Sequence, residues 1–235
     1  MPLPKDNLLF GFAEKLTDEQ KVYIDSIIDN QLTIVNAKAG TGKTTLACMA
    51  AKILERDLVY IFSPVEEGAL GFTPGTVEEK EAKYIVPLKD ALLEMNEVPS
   101  KVIESESNIE NMKNGNTWVK AMSHVFARGI NIKGNKLVVI DEAQNFTRGE
   151  LKKILSRMHD DVKIVMIGHD GQIDLKDPKK SGFIPYLEHF KDEPYAKVCT
   201  LSVNFRGQLA NHADTLTWWS KKRGGKNIWQ NKLLI

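Results

Sequence analysis

Residues 37–44 read A-K-A-G-T-G-K-T, an order of residue types suited to holding a polyphosphate. Gly40 and Gly42 let the backbone turn its N–H groups inward, Lys43 adds a positive charge, and Thr44 adds a hydroxyl for a divalent cation. Ala39, Thr41 and Thr45 complete the stretch that would touch the phosphates. Ala37 stands where the pattern G-x-x-x-x-G-K-[ST] has its first glycine, so this residue must keep a negative φ.

A second constellation is L-V-V-I-D-E-A-Q-N, residues 137–145. Four apolar residues place Asp141 and Glu142 at the carboxyl end of a buried strand, the edge where open α/β sheets bind ligands. There Asp141 suits holding magnesium and Glu142 suits orienting or deprotonating an attacking water, with Gln144 a reader of nucleotide or partner state. A third strand, V-K-I-V-M-I, runs into G-H-D-G-Q-I-D-L. Gln172 in that loop can hydrogen-bond a γ-phosphate or the water; a loop glutamine with no role is the competing reading. His169 has no second histidine at metal spacing and reads as structural. In L-S-V-N-F-R-G-Q, Arg206 follows a strand and suits charge on a transferring phosphoryl group, against the competing reading of a surface salt bridge. These groups imply a nucleoside polyphosphate with Mg2+. Guanine is disfavoured, because neither N-K-L-V nor N-K-L-L supplies the aspartate of an N-K-x-D motif.

The elements that must position these residues alternate. L-T-D-E-Q-K-V-Y-I-D-S-I-I-D is an amphipathic helix with Thr17 as N-cap, Gln20 in capping-box position and Val22, Ile24, Ile27 and Ile28 as its apolar face. Strands are expected at Leu32–Val35, Leu58–Phe62, Trp118–Met122, Leu137–Ile140, Val162–Ile167 and Val198–Leu201. Helices are expected after the glycine loop, over Thr76–Glu94, Leu151–Met158 and Gly207–Ser220. S-P-V-E-E-G-A-L-G-F-T-P-G is a loop, and residues 99–116 read as a mobile connection or small insertion. Strands alternating with helices predict an α/β fold, a single domain with a mostly parallel sheet flanked by helices.

Composition adds bounds. The 235 residues are 42% hydrophobic and 27% charged with a net charge of +1, so any argument for nucleic acid rests on local patches. Cys48 and Cys199 are isolated, and Cys48 reads as buried packing. The absence of a signal peptide or membrane-spanning run predicts a cytoplasmic protein with no membrane partner.

Taken in order, these residues resemble the PhoH-like proteins, P-loop ATPases whose core is related to superfamily 1 helicases. The resemblance runs from about Thr17 to about Asp214. Besides the glycine loop and D-E-A-Q-N, it is carried by L-G-F-T-P-G followed by E-K and P-L-K-D-A-L, by F-A-R-G-I-N, and by Gln172-Ile173-Asp174-Leu175 with Ser181-Gly182. Family members usually carry an aspartate where this chain has His169, and Ala37 is the other departure. The resemblance implies a RecA-like P-loop NTPase core over residues 1–216, ATP hydrolysis, a role with single-stranded nucleic acid, RNA before DNA, and a phage-type member. A nucleotide switch that recruits a protein partner with little hydrolysis is the alternative. In related helicases a side-chain amide placed like Gln20 reaches the base, and an amide matches adenine N6 and N7; the capping role competes.

One lobe cannot close around its own nucleotide. That predicts a homo-oligomer, in the fullest form a hexameric ring, with Arg206 acting either across the interface or on its own nucleotide as a sensor. Residues 217–235 carry Lys221, Lys222 and Arg223 beside Trp218 and Trp219. They read as a nucleic-acid surface, or as tryptophans packed into a core or subunit contact.

Overall fold

The computed structural model describes residues 14–64 and 82–213. Its strands are β1 Leu32–Ala37, β2 Asp57–Phe62, β3 Val119–Ser123, β4 Lys136–Ile140, β5 Lys163–Gly168 and β6 Ala196–Leu201. They form one sheet in the order β3-β2-β4-β5-β1-β6, and every pairing is parallel. Parallel strands need crossovers, and these are supplied chiefly by α2 Lys43–Ile53, α3 Val86–Glu94, α4 Arg148–Leu155 and α5 Phe183–Phe190, while α1 Asp18–Asp29 precedes β1 and α6 Gln208–Ala213 follows β6.

Successive strand residues point to opposite faces, so an apolar run feeds two cores. Val35, Tyr60, Val139 and Val165 pack under α1, α2 and α3 with Tyr23, Ile27, Leu46, Met49, Leu88 and Leu92. Ile34, Ile61, Ile140 and Met166 pack on the other face with Phe146, Leu151, Ile154 and Phe183. All six strands therefore deliver their carboxyl ends to one edge, and the motifs of β1, β4, β5 and β6 lie along it.

Several expectations shift. The capping box of α1 forms, Thr17 accepting from the Gln20 N–H and Gln20 from that of Thr17. Its apolar face is rotated, however: Val22 is 52% exposed while Tyr23 is fully buried. The helix expected over Thr76–Glu94 starts at Val86, because Pro87 lacks an N–H and belongs in a first turn; residues 82–85 are turn, and 65–81 lie outside the described residues. The helix expected over Leu151–Met158 begins at Arg148, where Thr147 and Glu150 form a second capping box.

Residues 99–116 are ordered rather than irregular. Two short helices, Pro99–Val102 and Ile109–Lys113, flank Asn108, whose amide donates to the carbonyls of Lys101 and Ile103 at 3.1 and 2.8 Å. Ile103 then bridges Val119 and covers the β3 edge. Helix α5 was not expected at all. The closing helix is described only to Ala213, and Trp218, Lys221, Lys222 and Arg223 lie outside the described residues.

Candidate nucleotide site

The glycine loop owes its shape to two left-handed glycines, Gly40 at φ +80° and Gly42 at φ +79°. Gly42 is the N-cap of α2. At Gly40 space forbids a side chain as well, since a Cβ would lie 2.5 Å from both Arg206 Cγ and Asn204 Oδ1. Ala37 avoids positive φ, as its side chain requires. Outside donors take up the loop's carbonyls: Phe205 N–H donates to Gly40 O at 2.8 Å, Gln20 Nε2 to Thr41 O at 3.0 Å, and the Tyr23 hydroxyl to Lys43 O at 3.2 Å. Two segments distant in sequence, α1 and the turn after β6, thus hold the loop in a phosphate-binding form.

At the end of β4, Asp141 is 2% exposed. Its Oδ2 accepts from the Tyr60 hydroxyl at 2.5 Å and from the Thr44 hydroxyl at 3.4 Å, and its Oδ1 accepts from the Glu142 N–H at 2.9 Å. A hydroxyl and a carboxylate converging beside a phosphate loop are the hard oxygen donors that magnesium takes, so Thr44 and Asp141 fit as the residues that would hold it. Burial, and then the Asp141 charge, push the Tyr60 hydroxyl pKa well up, which keeps it a donor. Nothing local in the sequence marks Tyr60.

Glu142 sits in the left-handed region, φ 51° and ψ 43°, a strain of about 1–3 kcal/mol that clusters at functional sites. Burial and the adjacent Asp141 raise its carboxyl pKa, with Lys43 and a hydrogen bond from Gln144 acting in the opposite direction. Gln144 is fully buried; its Nε2 donates to Glu142 Oε2 at 2.5 Å and its Oε1 accepts from the His169 N–H at 3.0 Å. Beside it Asn145 Nδ2 donates to Asp174 Oδ2 at 2.9 Å, and the Asp174 N–H donates to Asn145 Oδ1 at 2.8 Å. The loops after β4 and β5 are clamped together by these two side chains.

A cavity of about 700 Å3 opens over the loop, the size of a small-molecule site. Ala39, Gly40, Gly42, Lys43, Thr44, Thr45, Asp141, Glu142, Gln20 and Arg206 all line it. Its far wall is Leu16, Met49 and Pro87 with Asp90 and Glu94 of α3, and Glu94 accepts from the Thr45 hydroxyl at 2.6 Å. Those carboxylates were missed, because nothing in α3 marks them as facing the phosphate loop, and Glu94 lies 49 residues beyond the Thr45 it meets. Gln172 is exposed and not part of this lining; the glutamine that touches the acidic pair is Gln144. Gln20 fills its capping role and ties the loop, using two of the four hydrogen-bonding positions of its amide. The stem of Arg206 lies on Gly40 of its own chain. His169 is engaged through its backbone with Gln144.

Comparison with known proteins places this geometry in a family. The family pattern described as "PhoH-like protein" matches residues 13–213. A PhoH-like protein of Mycobacterium leprae (strain TN) is 34% identical over 80% of this chain and 53% of its own length. One from Synechocystis is 33% identical over 79% and 56%, and Protein PhoH2 of Bacillus subtilis (strain 168) is 30% identical over 90% and 49%. The chain spans about half the length of these curated relatives. Among solved structures, the UvsW helicase from bacteriophage T4 matches with a TM-score of 0.52, covering 85% of this chain and 68% of that one at 12% identity. A likeness at that identity concerns the fold alone: a RecA-like α/β domain.

Proposed function

Because the chain belongs to the PhoH-like protein family, we propose that it binds ATP with magnesium, hydrolyses it, and couples the cycle to single-stranded nucleic acid, RNA before DNA. The observation that carries this is the convergence of Lys43, Thr44, Asp141 and Glu142 on one cavity. In this reading the loop N–H groups and Lys43 hold the β- and γ-phosphates, and Thr44 and Asp141 hold the cation. Magnesium, when bound, neutralises phosphate charge. Glu142, with its raised proton affinity, takes a proton from the attacking water, and Gln144 fixes the carboxylate that receives it. Arg206 supplies positive charge from the same chain, and Gln172 has no part in the cavity. A homo-oligomer, in the fullest form a ring, is the proposed working state. Val203, Phe205 and Leu209, 43%, 58% and 84% exposed beside the site, support it.

The test is phosphate release with magnesium and ATP, with and without short RNA or DNA. Turnover stimulated by RNA more than by DNA is expected. ATP binding without turnover in either condition replaces the hydrolase by a nucleotide switch.

A further inference from the structure

The nucleotide cavity uses the α1, α2 and α3 side of the sheet's carboxyl edge. The α4 side of that edge carries a different surface. After β3 the chain turns into the short helix His124–Ala127, which packs on α4, with His124 Nε2 3.3 Å from Glu150 Oε1. This leaves Phe126 52% exposed, with exposed Arg128 following it. Thr147, the N-cap of α4, bridges Ser181, and a Cβ on Gly182 would lie 2.9 Å from the Arg148 backbone. The turn Pro178–Lys180 is therefore brought up beside Arg148. Arg128, Arg148, Lys179 and Lys180 share one stretch of the edge, and all four are exposed.

The acids of this stretch are each held by a neighbouring donor other than the four cations. Glu150 Oε2 accepts from the Thr147 N–H and hydroxyl, each at 2.8 Å. Asp177 Oδ1 accepts from the Lys179 N–H at 3.2 Å, and Asp174 is paired with Asn145. Among the described residues none of the four cations makes an ion pair. The four cations are not ion-paired to these carboxylates, so a polyanion can take them up while releasing its own counterions. A solvent-facing phenylalanine beside them is what an unstacked base needs and a duplex cannot use.

We propose that this ridge receives the phosphate backbone of single-stranded nucleic acid, with a base stacked on Phe126. The assignment rests on the nucleic-acid coupling proposed above and locates it on the core domain. It also supplies a route for the coupling. The turn bearing Lys179 and Lys180 follows the loop clamped by Asp174–Asn145 and by His169–Gln144, and Gln144 holds Glu142. A strand that shifts this turn bears directly on the water-activating carboxylate.

The experiment is fluorescence anisotropy of a labelled oligouridylate of about fifteen nucleotides over a salt series, with the full chain. For a triple variant Arg148→Ser, Lys179→Ser, Lys180→Ser, affinity at low salt should fall about tenfold or more, and the slope of log K against log salt by about 0.7 per lost contact. Phe126→Ala should lower affinity about tenfold with the slope unchanged. Lysine–arginine exchange at the same three positions should restore the slope, and melting temperature and RNA-free ATP turnover should stay at wild-type values throughout. Wild-type affinity and slope in the triple variant overturn the ridge while leaving nucleic-acid coupling standing. A wild-type protein that binds no oligonucleotide at low salt overturns both. Equal affinity for duplex, indifferent to Phe126, makes the ridge a general polyanion surface and overturns its assignment to single strands.

Discussion

Arg206 packs its aliphatic stem on Gly40 of its own chain, so closely that a Cβ at residue 40 would lie 2.5 Å from Arg206 Cγ. The Phe205 N–H donates to Gly40 O at 2.8 Å and fixes the approach. An arginine so placed shares the cavity with Lys43 and Glu142 of one subunit. Mixing inactive Arg206→Ala protein with inactive Lys43→Ala protein should therefore restore no phosphate release. Recovery in the mixture puts the arginine across an interface. Gly40→Ala should weaken ATP binding by tenfold or more in calorimetry, since left-handed φ alone costs a side chain about 1–2 kcal/mol.

Glu142→Gln should bind ATP near wild-type affinity while turnover falls by roughly a hundredfold or more, because only proton acceptance is removed. Lys43→Ala should lose both binding and turnover. Single-turnover kinetics beside equilibrium binding separates the two, and wild-type turnover in Glu142→Gln takes the water-activating role from that residue.

Tyr60→Phe removes the donor that meets Asp141 at 2.5 Å inside the core. A buried acceptor left short of a partner costs about 1–3 kcal/mol, visible as a lower urea midpoint. Magnesium affinity should fall about tenfold in addition, as when an outer-shell partner of a metal ligand is lost. Unchanged magnesium dependence of ATP binding confines Tyr60 to the fold.

His124 has its pKa lowered from 6.5 by burial, with Arg128 adding to the effect and Glu150 opposing it. The unfolded chain therefore binds the proton more readily than the folded one. The stabilisation from keeping His124 neutral is complete above about pH 6.5 and is lost as pH falls towards the lowered folded value. Thermal melting from about pH 7.5 to about pH 5.5 should show a drop that His124→Gln flattens. An equal drop in that variant assigns it to other groups.

The phosphate loop and acidic pair were legible because each is a short run whose chemistry depends on near neighbours in sequence. The parallel sheet was legible because its strands alternate with helices and the central ones are nearly continuous apolar runs. What was not legible depends on which distant segments meet. Tyr60 lies 81 residues from the Asp141 it supports, and β2 reads simply as buried strand. Gln172 and Gln144 both follow strands, and only the fold decides that one is exposed and the other buried against Glu142. Val22 and Tyr23 are adjacent apolar positions on α1; the hydroxyl bond from Tyr23 to Lys43 O sets which turns inward. Helix α5 was missed although Phe183, Leu187 and Phe190 recur at helical spacing, because Pro185 reads as a breaker until it is seen within the first turn.

Gln20 joins two roles that its substitutions can separate. Its Oε1 accepts from the Thr17 N–H at 3.0 Å, completing the capping box, while its Nε2 donates to Thr41 O at 3.0 Å. One N–H and one lone pair of the amide remain for adenine, whose N7 accepts and N6 donates. Gln20→Ala removes everything: helix stability should fall by about 1 kcal/mol, and nucleotide affinity should fall with it. Gln20→Glu keeps the capping acceptor, because glutamate serves a capping box as well as glutamine does, but it replaces the donor with an acceptor facing a carbonyl. Its urea midpoint should therefore stay closer to wild type than that of Gln20→Ala, while ATP affinity drops. The preference for ATP over GTP, measured by competition, should shrink in both variants if the amide reads the base. A preference that survives in both, with affinity for the two nucleotides falling in parallel, leaves Gln20 as the tie between α1 and the phosphate loop and moves base selection to another wall of the cavity.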